Sequence, residues 1–339
     1  MRTDFSKPVA DVALESVDWL DKDDEIRDRQ LASLKTLKIL GLRHHCLLCG
    51  EDLADAARLV NRSVAYLSCA RCGHLQAEEL VEEVAGTAFD VVYPALDPIA
   101  WRSRCERIYA PKLDWILKCL EQINFPSERA LTEHWFEIGA GAGYFLGSLR
   151  AAGAINIRGV DANSQLAERA NQVLGESLVD CTDKIEAAIE DSNARIFASF
   201  FVLEHMADPT AMIRALSAKP AGTVFAFAVP TFGFSSFLDG AFFDHAARSL
   251  DNIVHRQLYT DQSIACLLEQ MGYVPIARWV FGQDALDLKR LLAKRIQRIC
   301  EPALATNVEM RLANLLEPLQ QAIDLALLAD ARHVVAVKR

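Results

Sequence analysis

The chain has 339 residues, of which 51% are hydrophobic and 24% charged, and this balance is typical of a globular domain with a substantial core. Its net charge of −10 at pH 7 disfavours nucleic acid as a partner, because phosphate binding depends on clustered lysine and arginine. The N-terminal residues have no apolar stretch of the signal-peptide kind, and no apolar run is long enough to span a bilayer. We therefore expect a cytoplasmic protein that does not bind membranes.

Apolar residues recur at helical spacing over residues 8–40, which predicts two helices in an N-terminal segment, residues 1–41. Two C-x-x-C pairs follow, with 19 residues between them, and together they predict a zinc ribbon over residues 42–78. Four thiolates close a tetrahedral shell, so the zinc is expected to be structural. The predicted ligands are Cys46, Cys49, Cys69 and Cys72, and the nearby His44, His45 and His74 are expected to lie on the surface.

A linker and helical segment, residues 79–130, leads into the main domain, residues 131–283. That domain opens with an apolar strand, a glycine-rich turn, a helix and a second strand that ends at Asp161. Gly139, Gly141 and Gly143 let the backbone turn sharply and approach a ligand, and Asp161 is placed to accept hydrogen bonds from ribose hydroxyls. A nicotinamide dinucleotide site is the rival interpretation, but its third small residue is Tyr144 here.

Further on, the strand Arg195–Phe201 runs into Val-Leu-Glu-His at 202–205, and a helix, a Lys-Pro-Ala-Gly turn and a strand ending at Pro230 follow. In this order, these elements resemble a class I S-adenosylmethionine methyltransferase over residues 133–281. The resemblance implies an α/β Rossmann-like fold with a seven-stranded sheet, and S-adenosylmethionine as cofactor. It also implies cofactor-binding roles for Glu137, Gly139, Gly141, Gly143, Asp161 and Glu204.

An aromatic- and glycine-rich stretch, residues 231–252, is expected to be irregular and to form part of the substrate pocket. We place a helical insertion at residues 284–331, between the last two strands of the sheet, with the final strand at 332–339. The leucine stripes of this insertion need burial against the body or a second subunit, so a homodimer through it is one expectation.

The zinc ribbon followed by this domain is similar to sugar methyltransferases of deoxysugar and surface-polysaccharide biosynthesis. In the C-methylating members, a segment like D-x-I-Y-H-E-H-x-x-Y carries the proton-abstracting residues, and residues 251–259 align with it. His255 matches, but Arg256 and Gln257 replace the glutamate and the second histidine, and neither can act as a base at neutral pH. O- or N-methylation is therefore favoured over C-methylation.

The expected acceptor is a small polar molecule, such as a nucleotide-linked or otherwise activated sugar. Histidine at the strand end and in the pocket stretch is the natural candidate for a base, because its pKa lies near neutral pH. The candidate bases are His205, His245 and His255, and the candidate substrate-binding residues are Tyr93, Asp244 and Tyr259. Two alternatives stay open: an RNA-modifying methyltransferase and a non-catalytic scaffold that keeps the cofactor fold.

Overall fold

The computed structural model describes residues 1–12, 22–62, 64–81, 97–250 and 254–339. The strands are β1 Arg2–Phe5, β2 Ile39–Leu42, β3 Ala57–Asn61, β4 Val64–Ser68, β5 Leu75–Ala77, β6 Glu79–Val81, β7 Trp135–Ile138, β8 Ile157–Asp161, β9 Val179–Cys181, β10 Ile196–Phe200, β11 Val224–Pro230, β12 Gln257–Leu258, β13 Tyr273–Val280 and β14 Ala331–Lys338. The α-helices are α1 Val9–Val12, α2 Asp23–Thr36, α3 Pro98–Arg104, α4 Ala110–Glu121, α5 Ser127–Thr132, α6 Tyr144–Ala151, α7 Ser164–Leu174, α8 Ile185–Asp191, α9 Thr210–Ser217, α10 Phe234–Ala241, α11 Asp261–Met271, α12 Asp284–Gln297, α13 Pro302–Ala313 and α14 Leu316–Leu325, with a π-helix at Cys105–Tyr109 between α3 and α4.

The main sheet has eight strands in the order β1-β13-β14-β11-β10-β7-β8-β9, and only β14 runs antiparallel to its neighbours. Its central strands are buried on both faces, as expected where helices cover a parallel sheet. In β11, Phe225 and Phe227 belong to one core cluster, while Ala226 and Ala228 belong to the cluster on the other face. The predicted α/β, Rossmann-like class is confirmed.

One strand more than the predicted seven is present, because β1 extends the sheet by pairing in parallel with Ala277–Val280 of β13. The short sequence Arg-Thr-Asp-Phe has no apolar alternation, so its strand conformation depends on contacts with distant residues, namely the pairing with β13 and the hydrogen bond from Trp115 of α4 to Asp4. The two helices predicted from residues 8–40 correspond to α1 and α2, whereas the strands β1 and β2 of this segment were not predicted, and β2 pairs with β6. Residues 13–21 lie outside the described part of the chain.

The ribbon segment forms an antiparallel sheet of β3, β4 and β5, and β12 joins it as a fourth strand. This addition was not predicted, because β12 comes from the segment after β11, about 180 residues further along the chain. Tyr66, Leu75 and Leu258 of this sheet form a small apolar cluster of their own with Leu250. Three of the cysteines belong to the larger cluster that contains Ile264, Leu267 and Met271 of α11, and the fourth packs against it.

The C-terminal insertion consists of α12, α13 and α14, and α12 packs against both α13 and α14. The stretch after β11, predicted to be irregular, contains the helix α10, which packs on α12. None of the helices in the described ranges is both long and apolar enough to cross a membrane.

Candidate active site

The glycine turn lies between β7 and α6, at the carboxyl edge of the sheet. Gly139, Gly141 and Gly143 all have φ between +53° and +74°, the left-handed region that favours glycine. A Cβ at Gly139 would overlap the side chain of Val202, and one at Gly143 would lie 3.0 Å from Ala170 Cβ. At Gly141 a Cβ would meet nothing within 4 Å, so the middle of the turn faces open space where a ligand can approach the backbone.

Two carboxyl groups flank this turn. Asp161, at the end of β8, accepts hydrogen bonds from the backbone N–H of Gly141 (2.7 Å) and of Asn163 (2.8 Å). Glu137 in β7 is buried, and its Oε2 makes no hydrogen bond within the described residues. Burial raises the pKa of both carboxyl groups, and the nearby charge of Asp161 raises that of Glu137 further. The structure thus brings together five of the six predicted cofactor-binding residues around one open turn.

Aromatic side chains from the preceding helical segment cover the outer side of the turn. The indole N–H of Trp101 donates to the carbonyl of Ala142 (2.8 Å), and Tyr109 stacks on Tyr144 with ring centroids 5.5 Å apart. Tyr144 therefore packs against the helical cover at the position where a dinucleotide-binding turn requires a small residue. Sequence reasoning missed Trp101 and Tyr109. The π-helix that carries Tyr109, a conformation often found at functional sites, leaves no signature in composition or periodicity.

The sixth predicted cofactor-binding residue, Glu204, lies in the turn after β10, two residues beyond Val202. Its side chain is fully buried, and neither carboxylate oxygen makes a hydrogen bond within the described residues. Burial raises the pKa of Glu204 to about 8, so the group is protonated at neutral pH. Nε2 of His205 lies 3.8 Å from Glu204 Oε1, and the rings of His205 and His255 are 5.3 Å apart.

Backbone carbonyls orient both imidazoles. Nδ1 of His205 donates to the carbonyl of Val254 (2.9 Å), and Nδ1 of His255 donates to that of Ser249 (3.2 Å). Because a carbonyl can only accept, Nδ1 carries the hydrogen and Nε2 carries the lone pair in each neutral ring. Burial lowers the pKa of His255 to about 4, so this ring is neutral at physiological pH, and it is a weaker base than a free imidazole.

Residues of the ribbon make hydrogen bonds to the segment that carries His255. Tyr66 in β4 donates its hydroxyl to the carbonyl of His255 (2.6 Å). Gln257 donates to the carbonyl of Met206 (2.7 Å) and pairs with Nε2 of His74 (3.1 Å). The expectation that His74 lies on the surface was wrong: it is fully buried, with its ring 5.0 Å from that of Tyr259. His44 and His45 are exposed.

The other predicted catalytic and substrate-binding residues lie elsewhere. His245 is fully buried and its Nδ1 donates to Asp23 of α2 (2.9 Å), while Asp244 pairs with Arg298 of the insertion (3.0 Å). Tyr259 is fully buried in the core cluster shared with the ribbon. Tyr93 lies outside the described residues. Only His205 and His255 among the predicted bases are next to each other.

The four cysteines of the two C-x-x-C pairs converge, with all four sulfur atoms within 4.8 Å of one another. Cys46 and Cys72 have their sulfurs 3.5 Å apart, as do Cys49 and Cys69. Tetrahedral zinc with Zn–S bonds of about 2.3 Å places its sulfurs about 3.8 Å apart, so the site fits that ion. A hydrogen bond from Cys72 lowers the pKa of Cys46 to about 5, whereas donating that hydrogen bond raises the pKa of Cys72 and burial raises that of Cys49 to about 11. A metal would therefore have to displace protons from some of these thiols on binding.

Comparison with known proteins identifies the family. The profile of the family described as "Methyltransferase domain" matches residues 104–277, just over half of the chain. No curated protein sequence shows significant similarity.

Among solved structures, magnesium protoporphyrin IX methyltransferase from Synechocystis PCC 6803 is similar at 12% identity and a TM-score of 0.41, over 73% of this chain and 90% of that one. The cyclopropane synthase MmaA2 from Mycobacterium tuberculosis is similar at 14% identity and a TM-score of 0.43, over 69% of this chain and 85% of that one. An S-adenosylmethionine-dependent methyltransferase from Archaeoglobus fulgidus is similar at 16% identity and a TM-score of 0.40, over 67% of this chain and 94% of that one. The family match and the open glycine turn agree, and the chain belongs to the methyltransferase domain family.

Proposed function

We propose that this enzyme transfers the methyl group of S-adenosylmethionine to a hydroxyl or amine of a small polar acceptor, beside Glu204, His205 and His255. The observation that carries the proposal is the contact between Val202 and Gly139, which joins the turn after β10 to the glycine turn. A cofactor on the glycine turn and an acceptor beside the histidines would then be neighbours.

The residues present fit this cofactor. Gly141 leaves room for close approach to the backbone, Asp161 can accept hydrogen bonds from ribose hydroxyls, and Glu137 has a buried oxygen to which none of the described residues donates. When bound, S-adenosylmethionine supplies an electrophilic methyl group on a sulfonium. The chain itself has to align the acceptor, exclude water and accept one proton.

His255 is the better candidate for the base, with His205 second. The acceptor's O–H or N–H proton passes to Nε2 of the imidazole as its oxygen or nitrogen takes the methyl group. Glu204, protonated at neutral pH, is placed to orient the acceptor or the neighbouring ring. Gln257 bridges His74 and Met206, which supports the interpretation that this position has a structural role and that C-methylation is not the reaction.

The finer proposal is that the acceptor is a nucleotide-linked or otherwise activated sugar. Its support is the resemblance of residues 251–259 to the segment of sugar methyltransferases and the acidic balance of the chain, which suits small molecules better than nucleic acid. Zinc at the four cysteines is proposed as a structural ion, at one per chain.

Calorimetry with S-adenosylmethionine and S-adenosylhomocysteine tests the cofactor assignment. We expect Gly141→Ala to weaken binding by tenfold or more, because its methyl group enters the space above the turn without clashing with the protein. Gly175→Ala is the matched control, since Gly175 also has positive φ and open space but lies at the far end of α7. Equal binding by the two variants, or binding of NAD instead, would contradict the assignment.

Turnover of the acceptor tests the base. We expect His255→Ala to lose about 10²–10⁴ in kcat with nearly unchanged cofactor affinity. Because Glu204, His205 and His255 also offer donor atoms within 4.8 Å of one another, the assay is repeated with a chelator. Retained activity in chelator supports proton transfer, whereas loss that a divalent cation restores while the zinc content of the four-cysteine site stays unchanged would replace it with a metal-assisted reaction.

Two outcomes would favour the alternatives. A shift of bulk RNA in a gel would support an RNA-modifying enzyme. Binding of the cofactor with neither methyl transfer nor slow hydrolysis of the cofactor would support a non-catalytic scaffold. Elemental analysis that finds no zinc in protein purified without chelators would contradict the structural ion.

A further inference from the structure

Arg104, the last residue of α3, lies beside the glycine turn with its charge unpaired. Its guanidinium carbon is 5.1 Å from the centre of the ring of Tyr144, the first residue of α6. The side chain is half-buried, and within the described residues its buried Nε makes no hydrogen bond and its guanidinium forms no ion pair. Because arginine keeps its charge at any physiological pH, a cation without an anionic partner lies next to the turn.

The guanidinium is on the same side of the turn as the carboxyl group of Glu137. The thiol of Cys105, the residue after Arg104, is close enough to respond to both. Burial raises the pKa of Cys105 to about 12, the charge of Glu137 raises it further and the charge of Arg104 lowers it. Since Oε2 of Glu137 receives no hydrogen bond within the described residues, this side of the turn offers one acceptor and one cation that are both unpaired.

The helix that carries Arg104 is packed closely against α6. A Cβ at Gly147, in the middle of α6, would lie 2.5 Å from the indole of Trp101, so the missing side chain is what lets α3 approach. The hydroxyl of Ser148 donates to the carbonyl of Cys105 (2.9 Å), at the junction with the π-helix. These contacts hold the backbone of Arg104 in place relative to the turn, so little conformational freedom is lost when its side chain binds a ligand.

The chemistry of the cofactor indicates which of its groups would lie on this side. The sulfur of S-adenosylmethionine carries the adenosyl group, the methyl group and an amino-acid chain. In the proposed function the ribose lies at Asp161 and the methyl group faces His205 and His255. The amino-acid chain is left with the side that α3 and the π-helix cover, and this cover reaches the end of β10, where the rings of Tyr109 and Phe200 are 6.3 Å apart.

Resting on the proposed function, we infer that Arg104 binds the carboxylate at the amino-acid end of S-adenosylmethionine. A guanidinium offers parallel N–H groups that match the two oxygens of a carboxylate, and the unpaired Nε–H is one of them. The ammonium group of the same amino-acid end matches the free oxygen of Glu137. Arg104 thereby makes the site specific for the complete cofactor over adenosyl thioethers that lack the carboxylate.

The test compares two ligands on the full chain by calorimetry: S-adenosylhomocysteine, and decarboxylated S-adenosylhomocysteine, which keeps the amine. We expect the parent to bind the first roughly 10- to 100-fold more tightly than the second, as a charge-assisted pair of hydrogen bonds allows. Arg104→Met should lose this factor for S-adenosylhomocysteine and bind the decarboxylated ligand as the parent does. Arg104→Lys, which keeps the charge but not the paired N–H groups, should retain part of the preference.

Arg102→Met is the matched control, because Arg102 lies in the same helix and is exposed. It should bind both ligands like the parent. Unchanged affinity of Arg104→Met for the decarboxylated ligand also shows that this variant is folded. If S-adenosylhomocysteine does not bind to the parent, the proposed function fails. If it binds, but the parent has no preference for the carboxylate or Arg104→Met changes both affinities by the same factor, the role of Arg104 is overturned and the proposed function stands.

Discussion

Glu204 is a carboxyl group that the fold buries without a partner among the described residues, and its protonation should therefore be visible in the stability of the protein. Its pKa is about 8 in the folded chain against an ordinary 4.5. Between these values the unfolded state releases a proton that the folded state keeps, so the free energy of unfolding falls as the pH rises and levels off above 8. The full effect is at most about 5 kcal/mol.

Glu204→Gln should remove this pH dependence. Urea unfolding at pH 5, 7 and 9 is expected to show the variant gaining stability on the parent as the pH rises. Glu128→Gln, at an exposed glutamate, serves as the control and should follow the parent at each pH. A constant difference between Glu204→Gln and the parent would show that Glu204 is ionised throughout.

The ribbon and the segment after β11 share a sheet, which ties the zinc site to the histidine pair. The pairing of β5 with β12 and the hydrogen bond from Tyr66 to the carbonyl of His255 are the connections. Cys69→Ser should lower zinc content and stability together, because structural zinc is coupled to folding. Elemental analysis and thermal unfolding are the measurements.

Tyr66→Phe separates the two roles of the ribbon. It removes one hydroxyl while keeping the ring, so we expect full zinc content and a loss of about 0.5–1.5 kcal/mol in stability. If the ribbon positions His255, kcat should fall several-fold while the affinity for S-adenosylhomocysteine is unchanged. Unchanged kcat would limit the ribbon to a structural role.

How much the sequence could reveal differs from one element to the next. The elements of the main domain were predictable from local sequence. The strand β11 is a continuous apolar run in which large and small residues alternate, and the helix α11 was predicted at the residues where it lies. Local sequence carries no record of partners that are distant in the chain. For this reason β1, the pairing of β12 with the ribbon and the burial of His245 against Asp23 were not predicted, although His205 and His255 were both proposed as bases.

A buried charge network connects the N-terminal helix α2 with the insertion and with the segment after β11. Asp23 accepts from His245 and pairs with Arg290, which contacts Asp287 (3.4 Å), and Asp287 in turn pairs with Arg248 (2.6 Å). Because these side chains are buried, loss of one partner leaves another charge without compensation. The network therefore holds together α2, the insertion and the segment after β11, which are far apart in sequence.

Asp23→Ala should destabilise the protein by about 3–5 kcal/mol, because Arg290 would keep its charge in the interior. The neighbouring Asp24→Ala is the control, since the side chain of Asp24 is 56% exposed and its pairing with Arg27 should contribute less than about 1 kcal/mol. Urea unfolding compares the two. Equal, small losses would mean that the network adds little to stability.

The position of β1 has a consequence for how the protein matures on the ribosome. The strand Arg2–Phe5 leaves the ribosome long before Ala277–Val280, its strand partner in the described part of the chain. At about 5–20 residues per second, some 15–55 s of synthesis separate the two. During that interval the residues of β1 cannot pair with β13, and Asp23 of α2 cannot yet pair with Arg290. Docking of the N-terminal segment is thus a late assembly step.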